Sequence, residues 1–280
     1  MLEEALEAAK KADQVVLFIG EDRLQSGEAT SNATIQIPQI QQNLLERVAE
    51  INENIAVVLF SGRPLDLRDV QVKAKAILEV WMPGTEGAGA ITDVLYGRYN
   101  PTGKLPMSFP YCVGQVPVHY NEYATDRPHV EGKDKDRFRS KYLDIPNAPL
   151  YPFGYGLTYG KTEVTKAEMR DDGEHYTITA TVKNEGCAVH EILQVYVRDN
   201  ESEFAVRNHS LCAFKAVSLG ANETCDVEIT VPKAALEIVD DTGTRRVDSR
   251  SFTFFIGTSQ PDDRSAELLG TRPVAVELKL

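Results

Sequence analysis

Two glutamates, Glu21 and Glu28, stand in a polar stretch that directly follows an apolar run at residues 15–20. A carboxyl group can donate or accept a proton in catalysis when its surroundings tune its pKa. A glutamate in a polar loop is ordinarily a solvated surface residue, so residue type alone gives neither one a role. The stretch 21–37 is too long for a simple turn, however, which makes it a candidate functional loop.

Arg63 and Glu86 follow two further apolar runs in the same way. Arg63 lies in the segment SGRPL, where a loop arginine is expected to pair with a nearby acid. Glu86 lies in PGTEG, just before an apolar helical pattern. A carboxylate there gains from the unpaired N–H groups and the dipole of a helix start. These pairing and helix-start roles are the simplest ones for the two residues.

The sequence lacks the residue patterns that several other chemistries require. Gly84, Gly87 and Gly89 do not have the spacing of a phosphate-binding loop, which disfavours a nucleotide-binding α/β domain. Ser61 is not in a nucleophile elbow. The four cysteines form no CxxC pair and lie near no histidine at metal-ligand spacing. We therefore expect neither a metal nor a cofactor.

The apolar runs that must position these side chains predict a parallel sheet. Residues 15–20, 55–60 and 76–81 are apolar almost throughout and are predicted as buried strands. Helical spacing follows Pro38 and recurs from Ala88 to Leu95. Strands of this kind alternating with helices indicate a sheet covered on both faces, so we predict a three-layer α/β sandwich. The loops after its strands should then share one rim, where α/β sheets bind ligands.

The second half of the chain has a different pattern. Residues 111–160 contain many tyrosines, prolines and charges without periodicity, and we interpret them as a long linker packed on the first domain. The charged run 131–141 within it is predicted to be a solvated loop. From residue 161 apolar residues alternate with polar ones in several short segments, which predicts an antiparallel β-sandwich. The predicted domains are therefore 1–110, 111–160 and 161–280.

A series of motifs supports a more specific interpretation. They are, in order, VVLFIGE, VVLFSGRPLDL, AILEVWMPGTEG, DVLYGRYNPTGKLPMSFP, GQVPVHYNEY and LYPFGYGLTYG. Together they resemble the second domain of the family-3 glycoside hydrolases, and bacterial periplasmic-type β-glucosidases in particular. The last ~120 residues resemble the fibronectin-type-III-like module of that family, with FKAVSLGANET as its hairpin. We expect the chain to be the carboxyl-terminal part of such an enzyme, without its barrel domain.

The resemblance implies a role for the candidate loop. Retaining glycosidases use two carboxyl groups about 5 Å apart, a nucleophile and an acid/base. In this family the nucleophile is an aspartate of the barrel, and the acid/base is a glutamate on the loop after the first strand. Glu28 matches that position, and Glu21 is the second candidate. The family often has Arg and Asp shortly afterwards, where this chain has Asn32 and Ala33. Arg63 and Glu86 become candidates for the substrate rim.

The resemblance and the composition together set the expected function. A net charge of −12 argues against binding nucleic acid or anionic membrane, and no apolar run reaches the length of a membrane span. The N-terminus has no signal-peptide pattern, and the compartment stays open. We expect the carboxyl-terminal portion of a retaining β-glucosidase, an enzyme that hydrolyses terminal β-D-glucosides. This portion should supply the general acid/base but not the nucleophile and should be inactive alone. Its expected partners are the carbohydrate substrate and either a separate barrel chain or a second copy of itself. The alternative is a non-catalytic carbohydrate-binding or protein-interaction module.

Overall fold

A computed structural model of the chain describes residues 2–128 and 136–280. Residues 131–135 of the predicted solvated loop lie outside this range. The chain forms two compact units. The first unit extends through Tyr99 and also contains Phe109–Val118, and the second contains Asn100–Ser108 and continues from His119 to Leu280. The domain limits 1–110, 111–160 and 161–280 stay a prediction.

The first unit alternates helices with parallel strands. Its elements are α1 (Leu2–Lys11), β1 (Val15–Gly20), α2 (Gln39–Ala49), β2 (Ile55–Phe60), α3 (Arg68–Lys73), β3 (Ala76–Trp81) and α4 (Gly87–Leu95). The strands pair in the order β1-β2-β3, all parallel, so their carboxyl ends meet at one edge. We call this edge the rim. The predicted α/β class is confirmed.

The expectation of fully buried strands is met only by the central strand. Ile55 to Leu59 of β2 are all buried. In β1, by contrast, Phe18 is 58% exposed, and none of the residues of β3 is buried. The prediction of burial was wrong for these two strands because each is an outer strand with one hydrogen-bonded neighbour in the described sheet. Helix α2 packs through Leu45 and Val48, which recur at helical spacing.

The second unit is an antiparallel β-sandwich, as the alternation predicts. Its strands are β4 (Lys161–Asp171), β5 (His175–Glu185), β6 (Val189–Asp199), β7 (Ser210–Leu219), β8 (Thr224–Pro232), β9 (Ile238–Val239), β10 (Arg245–Arg246), β11 (Ser251–Gly257) and β12 (Val274–Lys279), with α5 (Asp263–Leu269) before the last. One sheet has the order β4-β5-β8 and the other β12-β11-β6-β7. Ile178, Leu193 and Phe254, all fully buried, belong to the core of this sandwich.

The segment GKLP is fixed to the sandwich by a buried ion pair. Lys104 Nζ lies 2.9 Å from Glu191 Oε1, and both side chains are at least nine-tenths buried. The same ammonium donates to the carbonyl of Gly156 at 2.8 Å. Removing either charge would leave the other one buried without its partner, which is costly. This pair therefore holds residues of the irregular segments against β6.

Candidate functional site

The loop that carries the candidate acid begins at a tightly fixed strand end. Gly20 has φ +132°, and a Cβ there would lie 1.9 Å from the carbonyl oxygen of Phe60. Only glycine fits this approach and this backbone conformation. Gln41 of α2 accepts from the Gly20 N–H at 2.7 Å and donates to the Gly20 carbonyl at 3.1 Å. The first residues of the loop are thereby held to β2 and α2.

Glu21 connects this loop to the next one along the rim. It is only 8% exposed, and its carboxylate pairs with the Arg63 guanidinium at 3.1 Å. The Gly62 N–H donates to its second oxygen at 3.3 Å. Arg63 also donates to the carbonyl of Gln25 at 2.7 Å. The carboxylate of Glu21 is thus occupied in joining the ends of β1 and β2.

Asn32 connects two parts of the same loop. Its amide donates to Glu21 Oε1 at 3.3 Å and to the carbonyl of Gln25 at 3.2 Å. A Cβ added at Gly62 would lie 1.7 Å from Ser26 Oγ, which shows how closely the two loops approach. The loop after β1 therefore packs against the loop after β2.

Glu28 stands at the tip of a turn in this loop. The Thr30 hydroxyl donates to the Gly27 carbonyl at 2.8 Å and closes the turn. Gly27 and Ala29, on either side of Glu28, both have positive φ. The Glu28 side chain is exposed and has no hydrogen bond or ion pair with another described residue. Its position suits a group that meets a ligand, whereas Glu21 is committed to structure.

Near the end of β3 lies a partly buried glutamate, Glu79, to which sequence reasoning gave no role. Glu79 Oε1 accepts from the Trp81 N–H at 2.7 Å and from the Ser61 hydroxyl at 3.1 Å. Its other oxygen is buried without a partner among the described residues. Burial raises the pKa of Glu79 from 4.5 to about 7, against the two hydrogen bonds, which lower it. A charged residue inside the apolar run AILEVW was the available signal.

The turn after β3 begins in an unusual backbone conformation. Trp81 has φ +49°, in the left-handed region that bulky residues rarely adopt. Its carbonyl accepts from the Ser61 N–H at 3.3 Å, and its ring packs on Phe109 with centroids 5.8 Å apart. Glu86 follows as the N-cap of α4, but its exposed side chain makes no capping hydrogen bond. The favourable dipole position remains.

Within the residues that the structure describes, no group of His, Cys, Asp and Glu is arranged to hold a metal ion. The described cysteines are all free thiols, including Cys212 and Cys225. None of the described helices combines the length and the apolar character that crossing a membrane requires. Glu21, Arg63 and Glu79 all lie at the rim, and Glu28 lies in a turn of the loop after β1.

The first part of the chain matches a known protein family. Residues 1–159 match the glycosyl hydrolase family 3 C-terminal domain, more than half of the chain. The chain belongs to glycosyl hydrolase family 3. In this family 3 chain, residues 191–260 also match the fibronectin type III-like domain, in agreement with the sandwich of the second unit. The resemblance inferred from the sequence motifs is confirmed.

Individual relatives in family 3 point in the same direction. The chain is 38% identical over 265 residues to a periplasmic β-glucosidase of Salmonella typhimurium. It is 34% identical over 266 residues to a β-xylosidase of Formosa agariphila. The matches cover 92% and 93% of this chain but only 34% and 36% of those proteins. The chain therefore spans about a third of the length of these relatives.

Solved structures of the family share the whole fold. A β-glucosidase from Listeria innocua in complex with gluconolactone matches with a TM-score of 0.89 and 33% identity. The match covers 99% of this chain and 38% of that one. A family 3 β-glucosidase from Bifidobacterium adolescentis matches with a TM-score of 0.80 at 29% identity. Both units of the chain thus have counterparts in β-glucosidase structures.

Proposed function

We propose that this chain is the carboxyl-terminal portion of a retaining β-glucosidase and that Glu28 is its general acid/base. The observation that carries the proposal is the display of Glu28 on a fixed turn at the rim of a family 3 sheet. The relatives named as β-glucosidases favour terminal β-D-glucosides as substrates. The nucleophilic carboxylate would belong to the part of the relatives' length that this chain does not span.

As general acid, Glu28 would protonate the leaving oxygen. As general base, it would then activate the water that attacks the glycosyl-enzyme intermediate. An exposed carboxyl group on a turn can reach the glycosidic oxygen of a substrate that is held by another domain. The pair Glu21–Arg63 and the amide of Asn32 fix the base of the loop. Glu21, the second candidate, is less suited because its oxygens already bind Arg63, Gly62 and Asn32.

The proposal includes inactivity of the isolated chain. Proton donation alone does not replace a nucleophile and a substrate pocket that orients the sugar. We expect the purified chain to release no aryl alcohol from an aryl β-glucoside above the rate of the buffer. Turnover that disappears in a Glu28→Gln variant would contradict this expectation. Turnover that persists in the variant would point to a contaminating enzyme.

A second candidate function is protein interaction, which the exposed apolar side chains of the first unit favour. Phe18 of β1 is 58% exposed and Val72 of α3 is 72% exposed. Exposed apolar residues on such elements are suited to bind another surface. The partner would be a separate barrel chain or a second copy of this chain. Sedimentation of the purified chain, alone and with a family 3 barrel polypeptide, tests both. A monomer that binds neither would contradict this candidate.

A further inference from the structure

Glu79 is a titratable group at the rim that the proposed chemistry does not use. It precedes the turn after β3, and its Oε1 accepts from two neutral donors, the hydroxyl of Ser61 and the amide of Trp81. Ser61 is fully buried and its own N–H donates to the Trp81 carbonyl at 3.3 Å. Glu79 and Ser61 thus contact both the N–H and the C=O of Trp81. This arrangement clamps the peptide groups around one residue.

The clamped residue is the one in an unfavourable conformation. A tryptophan with φ +49° persists only where its surroundings impose that conformation. The Oε1 atom of Glu79 imposes it directly, through the 2.7 Å hydrogen bond from the Trp81 amide. The turn that follows leads through Gly84 to Glu86 at the start of α4. The position of this turn therefore depends on the Glu79 side chain.

We propose that Glu79 is a positioning residue, which holds Trp81 and the turn leading to Glu86 at the rim through the Trp81 amide and Ser61. Its relevance to sugar cleavage rests on the proposed function, because that function makes the rim the border of the active site. The positioning role itself can be tested on the isolated chain. Its failure would leave the assignment of Glu28 untouched. A loss of Glu28 as acid/base would likewise leave this clamp in place.

The clamp should respond to pH, because an ionised carboxylate is a stronger acceptor than a neutral one. Burial is the cause that raises the Glu79 pKa, and the Trp81 and Ser61 hydrogen bonds oppose it. No charged side chain among the described residues is a cause of this pKa rise. On the neighbouring loop, Glu21 is paired with Arg63 and binds the Gly62 N–H next to Ser61. The pKa of Glu79 is about 7, so both forms occur near neutral pH.

The chain offers a direct readout, because Trp81 is its only tryptophan. Labelling with ¹⁵N-tryptophan gives an NMR spectrum with one backbone amide and one indole signal, both from Trp81. We expect the amide proton to move downfield as pH rises, with a midpoint near 7, and the fluorescence emission to change with it. This measurement needs no variant. An amide signal that shows no titration at any pH from about 4 to 8.5 would overturn the proposal, because a carboxylate that accepts from this amide must shift its signal on titrating.

Two variants and a control test whether the pH-dependent change in the Trp81 signals comes from Glu79 and Ser61. Glu79→Gln keeps an acceptor oxygen but cannot titrate, so its signals should be independent of pH. Ser61→Ala removes a donor that stabilises the charged form, so the midpoint should rise by about one pH unit. Glu53→Gln, an exposed glutamate before β2, should behave like the wild-type chain. A transition that survives in Glu79→Gln, or a midpoint that falls in Ser61→Ala, would refute the role of Glu79.

Discussion

Replacing Glu79 with glutamine should change how the stability of the first unit depends on pH. Burial raises the pKa of the Glu79 carboxyl from 4.5 to about 7 in the folded chain. As pH rises between these values, the unfolded state releases its proton first and is favoured. Below pH 4.5 the ionisation of Glu79 should therefore not lower the free energy of unfolding. Between pH 4.5 and 7 the free energy of unfolding should decline, and above pH 7 it should be reduced by the full cost of ionising Glu79 in the folded chain. Glutamine has no such penalty.

The size of the effect follows from the same interval. A separation from 4.5 to about 7, at about 1.4 kcal/mol per pH unit, corresponds to about 3 kcal/mol. This is an upper figure, because Glu79 as a whole is only partly buried. The Gln variant should thus gain stability relative to the wild-type chain on going from acid to alkaline pH. A gain near 3 kcal/mol is a large fraction of the stability of an ordinary domain.

The assay is denaturant unfolding followed by the emission of Trp81, which reports the first unit alone. Wild-type chain, Glu79→Gln and the control Glu53→Gln are compared at a series of pH values from about 4.5 to 8.5. We expect the difference between Glu79→Gln and wild type to increase with pH and the control to follow wild type. Parallel curves for all three proteins would refute the reasoning, because they would mean that Glu79 titrates normally in the folded chain.

Two further predictions concern the supports of the rim and of the sandwich. Gly62→Ala would place a methyl group against Ser26 and should displace the loop of Glu28, lowering the unfolding midpoint, whereas Gly62→Ala combined with Ser26→Gly should restore it. Lys104→Met and Glu191→Gln should each lower the free energy of unfolding by about 3 kcal/mol or more, measured by circular dichroism. In the double variant the loss should be smaller than the sum of the two single losses by at least about 1 kcal/mol. Additive losses would show that the ion pair is not coupled.

Much of the fold could be predicted because it depends on periodic patterns. The apolar runs gave the three parallel strands, and the period of two gave the sandwich, with the carboxyl ends of the strands at a common rim. Helix α3 has only six residues, too few for a helical pattern to appear in the sequence. The exposure of Phe18 depends on which strands are outermost, and this is a property of topology that no single strand reveals.

The site could be predicted only where a motif fixes a position along the chain. The candidates Glu21, Glu28 and Arg63 follow from motifs, but their contacts depend on loop geometry. The ion pair of Glu21 with Arg63 joins residues 42 positions apart. Asn32 binds Glu21, which could not be foreseen from residue type. Glu79 was missed because its role depends on the left-handed conformation of the residue two positions later.

The most direct test of the central claim joins this chain to a barrel that supplies a nucleophile. The chain would replace the matching 38% of the Listeria innocua β-glucosidase, and hydrolysis would be measured for aryl β-glucosides with good and with poor leaving groups. A general acid matters most when the leaving group is poor. Glu28→Gln should therefore slow the poor substrate by about 100-fold or more and the good substrate far less. Glu21→Gln, which loosens the loop, should affect both substrates alike. Equal losses for both substrates in Glu28→Gln, or undiminished activity, would contradict the assignment of Glu28 as the acid/base.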